Sequence, residues 1–234
     1  MSKPKIVILS GAGVSAESGI ATFRDSNGLW ENHRVEDVAS PEGWARDPEL
    51  VLNFYNQRRA QLHEVEPNDG HRHIAKLELD YDVTVVTQNI DDLHERAGST
   101  NVIHLHGELL KVRPERGGEA PRHWPGDLRV GDTNDQGVQL RPHIVWFGES
   151  VPEIERAARV VARADAVVII GTSLQVYPAA GLVNYAPDDI PIYYIDPKPS
   201  AEARHVANIV LIEKGGSAGM AEVTDLLREA LTEE

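Results

Sequence analysis

Several short polar motifs in this sequence bring together residue types that can do chemistry. The first, SGAGVS at 10–15, follows an apolar stretch and contributes Gly11, Ala12, Gly13 and Ser15. Glycines at such a point let the main chain turn tightly and approach a pyrophosphate, while the start of the next helix offers amides. The glycine spacing departs from the usual dinucleotide fingerprint, so a tight turn without a ligand is the alternative.

Two further motifs are suited to a nucleotide. In the polar loop ATFRD, Arg24 can reach a phosphate and Phe23 can cover a ring, although an isolated motif of this kind is more typical of a surface loop. The motif TQNIDDLH at 87–94 follows an apolar run, and its Gln88, Asn89 and Asp91 suit a ribose and a carboxamide. Helix capping by Asn89 or Asp91 is the alternative.

The motif HLHGE supplies a candidate general base. His104 and His106 share one face of a predicted strand, and the strand stops before Gly107. A histidine at the carboxyl end of a strand is well placed to exchange a proton, although a lone histidine is more often structural. We therefore favour His106, because His104 lies further inside the strand.

Two later motifs complete the candidate site. An extended apolar segment after Pro142 is suited to pairing with a peptide through its Val145, Trp146, Phe147 and Gly148. A second glycine turn after an apolar run has the form of a phosphate-binding turn and contributes Gly171, Thr172 and Ser173.

These motifs are positioned by alternating strands and helices. Short Val- and Ile-rich runs, apolar on both faces, predict buried parallel strands at 5–10, 82–88, 101–106, 165–171, 190–196 and 208–213. Helical patterns lie between several of them, at 48–63, 69–79, 152–164 and 217–231. The alternation predicts an α/β fold with a doubly wound parallel sheet.

Two stretches break the alternation. Residues 28–64 are predicted to hold a loop and helices with no intervening strand, and residues 113–141 are rich in Gly, Pro, Asp and Arg. We expect these insertions to form a smaller domain beside the sheet.

Composition limits the functions that are possible. A net charge of −14 argues against a general nucleic-acid binder. No apolar run approaches the length that spans a bilayer, and we expect a cytoplasmic protein. The absence of cysteine excludes disulfides, thiolate nucleophiles and cysteine-ligated zinc.

Together, the ordered motifs GAGVSAESGIATFRD, TQNIDDLHERAG, HLHGEL, PHIVWFGE and GTSLQVYPAAG resemble the sirtuins over residues 5–231. The resemblance implies a Rossmann-like large domain (1–27, 65–106 and 148–234) and a small inserted domain (28–64 and 107–147). NAD and an acyl-lysine peptide or protein would meet in the cleft between them. The expected protein is a monomer without nucleic-acid or membrane partners.

By the same resemblance, the amides at 11–15 and Arg24 would hold the diphosphate end of NAD. The nicotinamide ribose and carboxamide would lie at Gln88, Asn89 and Asp91, and the adenosine side would be lined by Gly171, Thr172 and Ser173, with Ala218 also near the cofactor. His106 would be the general base. After nicotinamide leaves the ribose, the acyl oxygen of the substrate lysine would attack the ribose carbon. The products would be free lysine and O-acyl-ADP-ribose.

Rival interpretations remain at this stage. The same activated ribose would serve an ADP-ribosyltransferase, whose product would be an ADP-ribosylated protein. A module that binds NAD or ADP-ribose without turnover is a third possibility, against which His106 and Asp91 argue. An oxidoreductase fits least, because the glycine spacing departs from the fingerprint.

Two departures from the sirtuin pattern stand out. Four cysteines usually hold a structural zinc in the small domain, but here Pro114 stands where the first is expected. The candidate substitutes lack convincing metal spacing, so we predict no zinc; they are His123, Asp127, Asp132 and Asp135. Asp196 stands where an asparagine usually contacts the adenine ribose, and a carboxylate can accept from ribose hydroxyls.

The helical pattern at 48–63 places Tyr55 and Arg58 on one face. This Tyr-x-x-Arg pair resembles sirtuins that accept negatively charged acyl groups such as succinyl. Arg58 would bind the distal carboxylate in bidentate fashion with help from the tyrosine hydroxyl. The alternative is an exposed arginine on a helix surface.

Overall fold

A computed structural model describes residues 2–20, 29–30, 32–200, 203–205 and 208–232. Its strands are β1 (Lys5–Ser10), β2 (Leu29–Trp30), β3 (His33–Arg34), β4 (Asp82–Thr87), β5 (Val102–His104), β6 (Gly107–Pro114), β7 (Arg122–His123), β8 (Leu140–Ile144), β9 (Ala166–Ile170), β10 (Ile192–Ile195) and β11 (Ile209–Ile212). Its α-helices are α1 (Ala12–Ser15), α2 (Val35–Val38), α3 (Pro41–Arg46), α4 (Pro48–Glu64), α5 (Asp69–Leu77), α6 (Leu93–Ala97), α7 (Ile154–Val161) and α8 (Gly216–Thr232). Short 3-10 helices lie at Ala16–Ser18, Ala179–Tyr185 and Ala203–His205.

The main sheet is parallel and has six strands in the order β11-β10-β9-β1-β4-β5. Strand β1 lies in the middle of the sheet. Strands β4 and β5 follow on one side of it, and β9, β10 and β11 then follow on the other side. The crevice outside the carboxyl ends of β1 and β9 is therefore the switch point where ligands bind in open α/β sheets. The doubly wound sheet expected from the sequence is confirmed.

The sheet is buried on both faces, which explains why its strands carry apolar residues without alternation. Along β1, Val7 and Leu9 join one hydrophobic cluster with α7, whereas Ile6 and Ile8 join another with α5 and α8. Successive side chains of a strand point to opposite faces, so each strand contributes to both clusters.

A second, antiparallel sheet has the order β7-β6-β8. Two hydrophobic clusters join it to α2, α3 and α4, with Tyr55 and Trp146 in one and Val112 and Leu128 in the other. Helix α4 begins where Asp47 accepts a hydrogen bond from the amide of Leu50, with Pro48 at the first helical position.

Two details differ from the sequence prediction. Residues 28–64 were expected to contain no strand, but β2 and β3 form a two-stranded antiparallel pair there. The strand expected at 101–106 ends at His104, because Leu105 and His106 form the turn that leads into β6. Among the described residues, no helix is both long and apolar enough to cross a membrane.

Candidate active site

The turns after β1 and β9 are pressed together, main chain against main chain. A Cβ on Gly13 would lie 2.6 Å from the Cα of Gly171, and one on Gly11 would lie 2.8 Å from the Gly171 carbonyl oxygen. Gly171 itself has a φ of +63° and would bring a Cβ within 2.2 Å of the Val14 amide nitrogen. These positions therefore require glycine, because any side chain would force the two turns apart.

This close packing also uses two amides that were expected to hold phosphate. The amide of Gly11 donates to the carbonyl of Ile170 at 3.0 Å, and that of Gly13 donates to the carbonyl of Gly171 at 2.8 Å. Gly11 and Gly13 thus shape the crevice rather than offering donors to it.

Ser15, Asn89 and Asp91 form a buried hydrogen-bonded cluster at the carboxyl edge of the sheet. The Ser15 hydroxyl donates to Asp91 Oδ2 at 3.0 Å and accepts from Asn89 Nδ2 at 3.1 Å. Asn89 Nδ2 also donates to the carbonyl of Gly11 at 3.2 Å. Three residues that lie far apart in the sequence are thereby joined under the glycine turn.

The environment of Asp91 leaves its charge poorly solvated. Burial raises the pKa of Asp91 to about 6, against the opposing effect of hydrogen bonds from the Leu93 amide and the Ser15 hydroxyl. The bond from Leu93 N to Oδ1, 3.2 Å long, is the local capping interaction considered as the alternative for this motif. One carboxylate oxygen of Asp91 therefore holds the turn into α6, and the other accepts from Ser15.

Two buried histidines that the sequence analysis did not select support this cluster. His71 Nδ1 accepts from the amide of Asn68 at 3.3 Å, so its Nε2 carries the hydrogen and donates to Ser15 at 3.4 Å. His94 lies beside it, with ring centroids 4.9 Å apart, and its Nε2 lies 2.9 Å from Ser10 Oγ. Burial lowers the pKa of His71 to about 4 and that of His94 well below its ordinary value. The sequence signal for His71 was the capping box that it forms with Asn68 at the start of α5.

Gln88 connects the two sides of the crevice. Its side-chain amide donates to the Thr172 hydroxyl at 3.0 Å, and the Thr172 carbonyl accepts from the hydroxyl of Tyr194 at 2.7 Å. The carbonyl of Ser173 accepts from the hydroxyl of Ser200 at 3.0 Å. The turn after β9 is thus anchored from β4 on one side and from β10 on the other.

His106 lies in the turn between β5 and β6, with its Nδ1 3.0 Å from the carbonyl oxygen of Gln88. A carbonyl can only accept, so Nδ1 carries the hydrogen and Nε2 holds the free lone pair of the neutral ring. Burial lowers the pKa of His106, although the Gln88 bond opposes the shift. The ring is therefore neutral and able to take a proton at neutral pH.

His104 differs from His106 in that its pKa is raised and its Nε2 is already bonded. Its Nδ1 donates to the carbonyl of Asn89 at 3.2 Å, and its Nε2 lies 2.7 Å from a carboxylate oxygen of Glu95. Burial alone would lower the pKa of His104, but the Glu95 carboxylate outweighs it and the pKa is raised. Both ring nitrogens of His104 are occupied, so neither has a lone pair available to a substrate.

The segment expected to pair with a peptide, here called the peptide edge (Val145–Gly148), continues from β8. The amide of Val145 donates to the carbonyl of His106, and that of Phe147 donates to the carbonyl of Ala39, both at 3.0 Å. Trp146 is buried, whereas the Phe147 side chain is 54% exposed. The peptide edge therefore lies directly beside the candidate base.

A small cavity of about 50 Å³ lies where α4 meets the crevice. It is lined by Ile20, Trp30, Arg58, Gln61, Leu62, Ile90, Asp91 and Leu109. The structure thus brings Arg58, whose guanidinium also lies 5.1 Å from the ring centroid of Phe54, into one cavity with Asp91. Tyr55 is fully buried, and its hydroxyl accepts from Trp146 Nε1 at 3.0 Å.

The remaining candidates lie at the rim of the sheet or outside the described residues. Asp196 is buried directly after β10, and its Oδ1 accepts from the amide of Lys198 at 2.8 Å. Ala218 is exposed in the first turn of α8. Phe23 and Arg24 fall within 21–28, outside the residues that the structure describes.

The cysteine-free segment, which is the insertion at residues 113–141, is held by hydrogen bonds between side chains and the main chain. Asn56 of α4 accepts from the amide of Leu128 at 2.9 Å and donates to its carbonyl at 3.0 Å. Gln139 donates to the carbonyl of Asp132 at 3.0 Å and accepts from the amide of Gly131 at 2.7 Å. Within the described part of the chain, no group of three or more His, Asp or Glu side chains is arranged to hold a metal ion.

Comparisons with known proteins identify the family of this chain. The Sir2 family model matches residues 11–178. A Bacteroides thetaiotaomicron protein named NAD-dependent protein deacylase is 54% identical over 228 residues, covering 95% of this chain and 97% of its own length. A Helicobacter pylori protein of the same name is 52% identical over 229 residues, covering 98% and 97%.

Two solved structures are also similar. A Sir2 homologue in complex with NAD has a TM-score of 0.86 and 39% identity, and the match covers 98% of this chain and 91% of the other. A Sir2 mutant with a deacetylated p53 peptide and 3′-O-acetyl-ADP-ribose has a TM-score of 0.80 and 28% identity, covering 96% and 94%. The chain belongs to the Sir2 family, the sirtuins. The family, the fold and the class of NAD-dependent protein deacylases predicted from the sequence are confirmed.

Proposed function

We propose that this sirtuin removes acyl groups from lysine side chains of proteins with NAD as co-substrate, and that His106 is its general base. The observation that supports this most directly is the position of His106 between the two predicted ligand surfaces. Its ring is held by the carbonyl of Gln88, on the nucleotide side, and its own carbonyl accepts from Val145 of the peptide edge.

The crevice has a donor set that fits NAD. Hydroxyl, amide and carboxylate groups meet at the carboxyl ends of β1, β4 and β9, and such groups pair with ribose hydroxyls and a carboxamide. We assign Gln88, Asn89 and Asp91 to the nicotinamide ribose and its carboxamide, with Ser15 bonded to both Asn89 and Asp91. Thr172 and Ser173 are assigned to the adenosine side, with Asp196 at the adenine ribose and Ala218 nearby. NAD supplies, when bound, a ribose carbon made reactive by the departure of nicotinamide.

Each residue then has a distinct task. Asp91 and Asn89, fixed by Ser15, orient the ribose, and the low exposure of this cluster keeps water away from the reactive carbon. His106 Nε2 takes the proton of a ribose hydroxyl, which makes that oxygen nucleophilic toward the acyl group. The peptide edge pairs with the main chain around the acyl-lysine and presents the side chain to the cleft.

The cavity beside α4 supports a preference for acidic acyl groups. Arg58 contributes a guanidinium there, and a guanidinium binds a carboxylate through two parallel hydrogen bonds. Because Asp91 lines the same cavity, a carboxylate must approach from the α4 side, where Arg58 and Gln61 lie one turn apart. We therefore propose succinyl- and malonyl-lysine as substrates besides acetyl-lysine.

The division into a large and a small domain also remains a proposal, supported by the hydrophobic clusters. Two clusters cover the faces of the parallel sheet, and two others join α2–α4 to the antiparallel sheet. The net charge of −14 supports action on protein rather than nucleic acid. A monomer that works in the cytoplasm stays a prediction.

Product analysis tests the proposal. The protein would be incubated with NAD and matched acetyl-, succinyl- and longer acyl-lysine peptides, and the products would be weighed by mass spectrometry. We expect free lysine peptide, nicotinamide and O-acyl-ADP-ribose in equal amounts. An ADP-ribosylated protein product, or no nicotinamide release with any peptide, would contradict it.

A further inference from the structure

Glu149, the residue that follows the peptide edge, forms hydrogen bonds to this segment and to Arg141 of β8. Its Oε2 accepts from the main-chain amide of Trp146 at 2.8 Å. Both carboxylate oxygens also face Arg141, with Oε1 2.7 Å from Nη1 and Oε2 3.1 Å from Nη2. The segment is thus closed into a loop by a bidentate ion pair, the strongest geometry for such a pair.

Arg141 makes two further contacts from a buried position. It is 6% exposed, and its Nη2 also donates to the carbonyl of Ile144 at 2.9 Å, where β8 ends. The guanidinium lies 3.3 Å from the ring centroid of Trp146, in a cation–π arrangement. Arg113 adds a second, weaker pairing with Glu149 at 3.4 Å.

Trp146 connects this pair to helix α4. Its Nε1 donates to the hydroxyl of Tyr55, which lies one helical turn before Arg58 on α4. A continuous series of contacts therefore runs from Glu149 through Arg141 and Trp146 to α4. Neither Arg141 nor Glu149 lines the cavity at Arg58, so neither residue is placed to contact the acyl group there.

We propose that Arg141 and Glu149 are positioning residues for the acyl-lysine peptide. The pair holds the main chain of the peptide edge in one fixed conformation, which ends in the turn closed by the Glu149 amide on the Trp146 carbonyl, and it sets the spacing between that edge and α4. A preformed edge lowers the ordering cost of peptide binding, whereas NAD binds on the other side of His106 and is unaffected. This inference rests on the proposed function, since it names residues that prepare the same site for its peptide.

The first test is the variant Glu149→Gln, which keeps the side-chain volume but loses the charge and one of the two strong bonds. We expect the KM for acyl peptides to rise roughly tenfold, the upper range for coupling through packed networks. The KM rise is equal for acetyl and succinyl peptides, since the pair acts on the peptide main chain. The dissociation constant for NAD stays unchanged. The variant Glu155→Gln, which removes the same charge from an exposed carboxylate paired with Arg159 at 3.7 Å, serves as the control.

Hydrogen exchange of the protein without ligands gives a second readout. The Trp146 amide should exchange faster in Glu149→Gln than in the parent protein, while the amides of α8 keep their rates. The variant Arg141→Lys, which keeps the charge but cannot form the bidentate pair, should show the same pattern if Glu149→Gln does not fold.

An unchanged peptide KM with unchanged Trp146 exchange would overturn the inference. So would a rise in the KM for NAD that equals the rise for peptide, because it would indicate general damage to the fold. If the parent protein deacylates no peptide, the proposed function fails, and the exchange measurement still decides whether the pair holds the edge.

Discussion

His104 and His106 donate from their Nδ1 atoms to the carbonyls of two adjacent residues, Asn89 at 3.2 Å and Gln88 at 3.0 Å, yet only His106 keeps its Nε2 available. Glu95 occupies Nε2 of His104 and raises its pKa against the effect of burial, whereas burial lowers the pKa of His106. Two histidines only two residues apart thus differ both in the direction of their pKa shifts and in the availability of Nε2.

The variant His106→Ala should abolish deacylation. Loss of a general base typically costs ~10²- to 10⁴-fold in rate without removing contacts to the bound substrate. Turnover would be measured with an acyl peptide, and NAD affinity by calorimetry, where little change is expected. The matched variant His104→Ala should instead lower thermal stability, because it breaks the pair with Glu95. Near-normal turnover of His106→Ala would refute the assignment.

The pH dependence of kcat follows from the state of His106. Its base form is neutral, and burial lowers its pKa below the ordinary value of 6.5, so activity is present above that value and is lost as pH falls through the lowered pKa. The acid limb of kcat against pH, measured at saturating NAD and peptide, should therefore lie below 6.5. A limb above that value would point to a base with a raised pKa, such as His104.

Replacing Arg58 by methionine should separate acidic from neutral acyl groups. A carboxylate that loses its charged partner in this cavity is destabilised by about 3 kcal/mol, or roughly a hundredfold in kcat/KM. Desuccinylation should fall by that factor, while deacetylation changes little. The variant Arg72→Met, at an exposed pair with Asp69, is the control. Equal losses on both peptides would show that Arg58 is structural.

The purified protein should contain no stoichiometric zinc and should keep its fold and activity in strong chelator. A structural zinc needs four ligands, normally thiolates and imidazoles at close paired spacing, and this chain has no cysteine. Elemental analysis and circular dichroism before and after chelation would decide the matter. One equivalent of tightly held zinc, with unfolding on its removal, would show the prediction to be wrong.

Asn56 should be one of the residues that stabilise the cysteine-free segment. Its side chain forms hydrogen bonds to both the amide and the carbonyl of Leu128. Its Oδ1 also accepts a hydrogen bond from Arg59 Nη1 at 2.7 Å. Asn56→Ala leaves buried partners unsatisfied and should lower the free energy of unfolding by about 1 to 3 kcal/mol in urea titration. Asn53→Ala, on the exposed face of the same helix, should have little effect.

The sequence alone was enough for the family, for the six strands of the parallel sheet and for the glycine turns that follow β1 and β9. Apolar runs at β1, β4 and β9 predict buried parallel strands because such strands need apolar residues on both faces. The glycines at 11, 13 and 171 were recognisable because tight strand-end turns require them. Such signals are local, since each is contained in a few neighbouring residues.

The tertiary structure decided how those residues share their hydrogen bonds. The sequence did not reveal that the amides of Gly11 and Gly13 are already used by the turn after β9, or that the Tyr55 hydroxyl is bonded to Trp146. Nor did it show that Glu95 occupies Nε2 of His104 and raises its pKa, whereas burial lowers the pKa of His106. A protonation state or a bonding partner depends on groups that are distant in the chain and close in space, and only the packed fold brings them together.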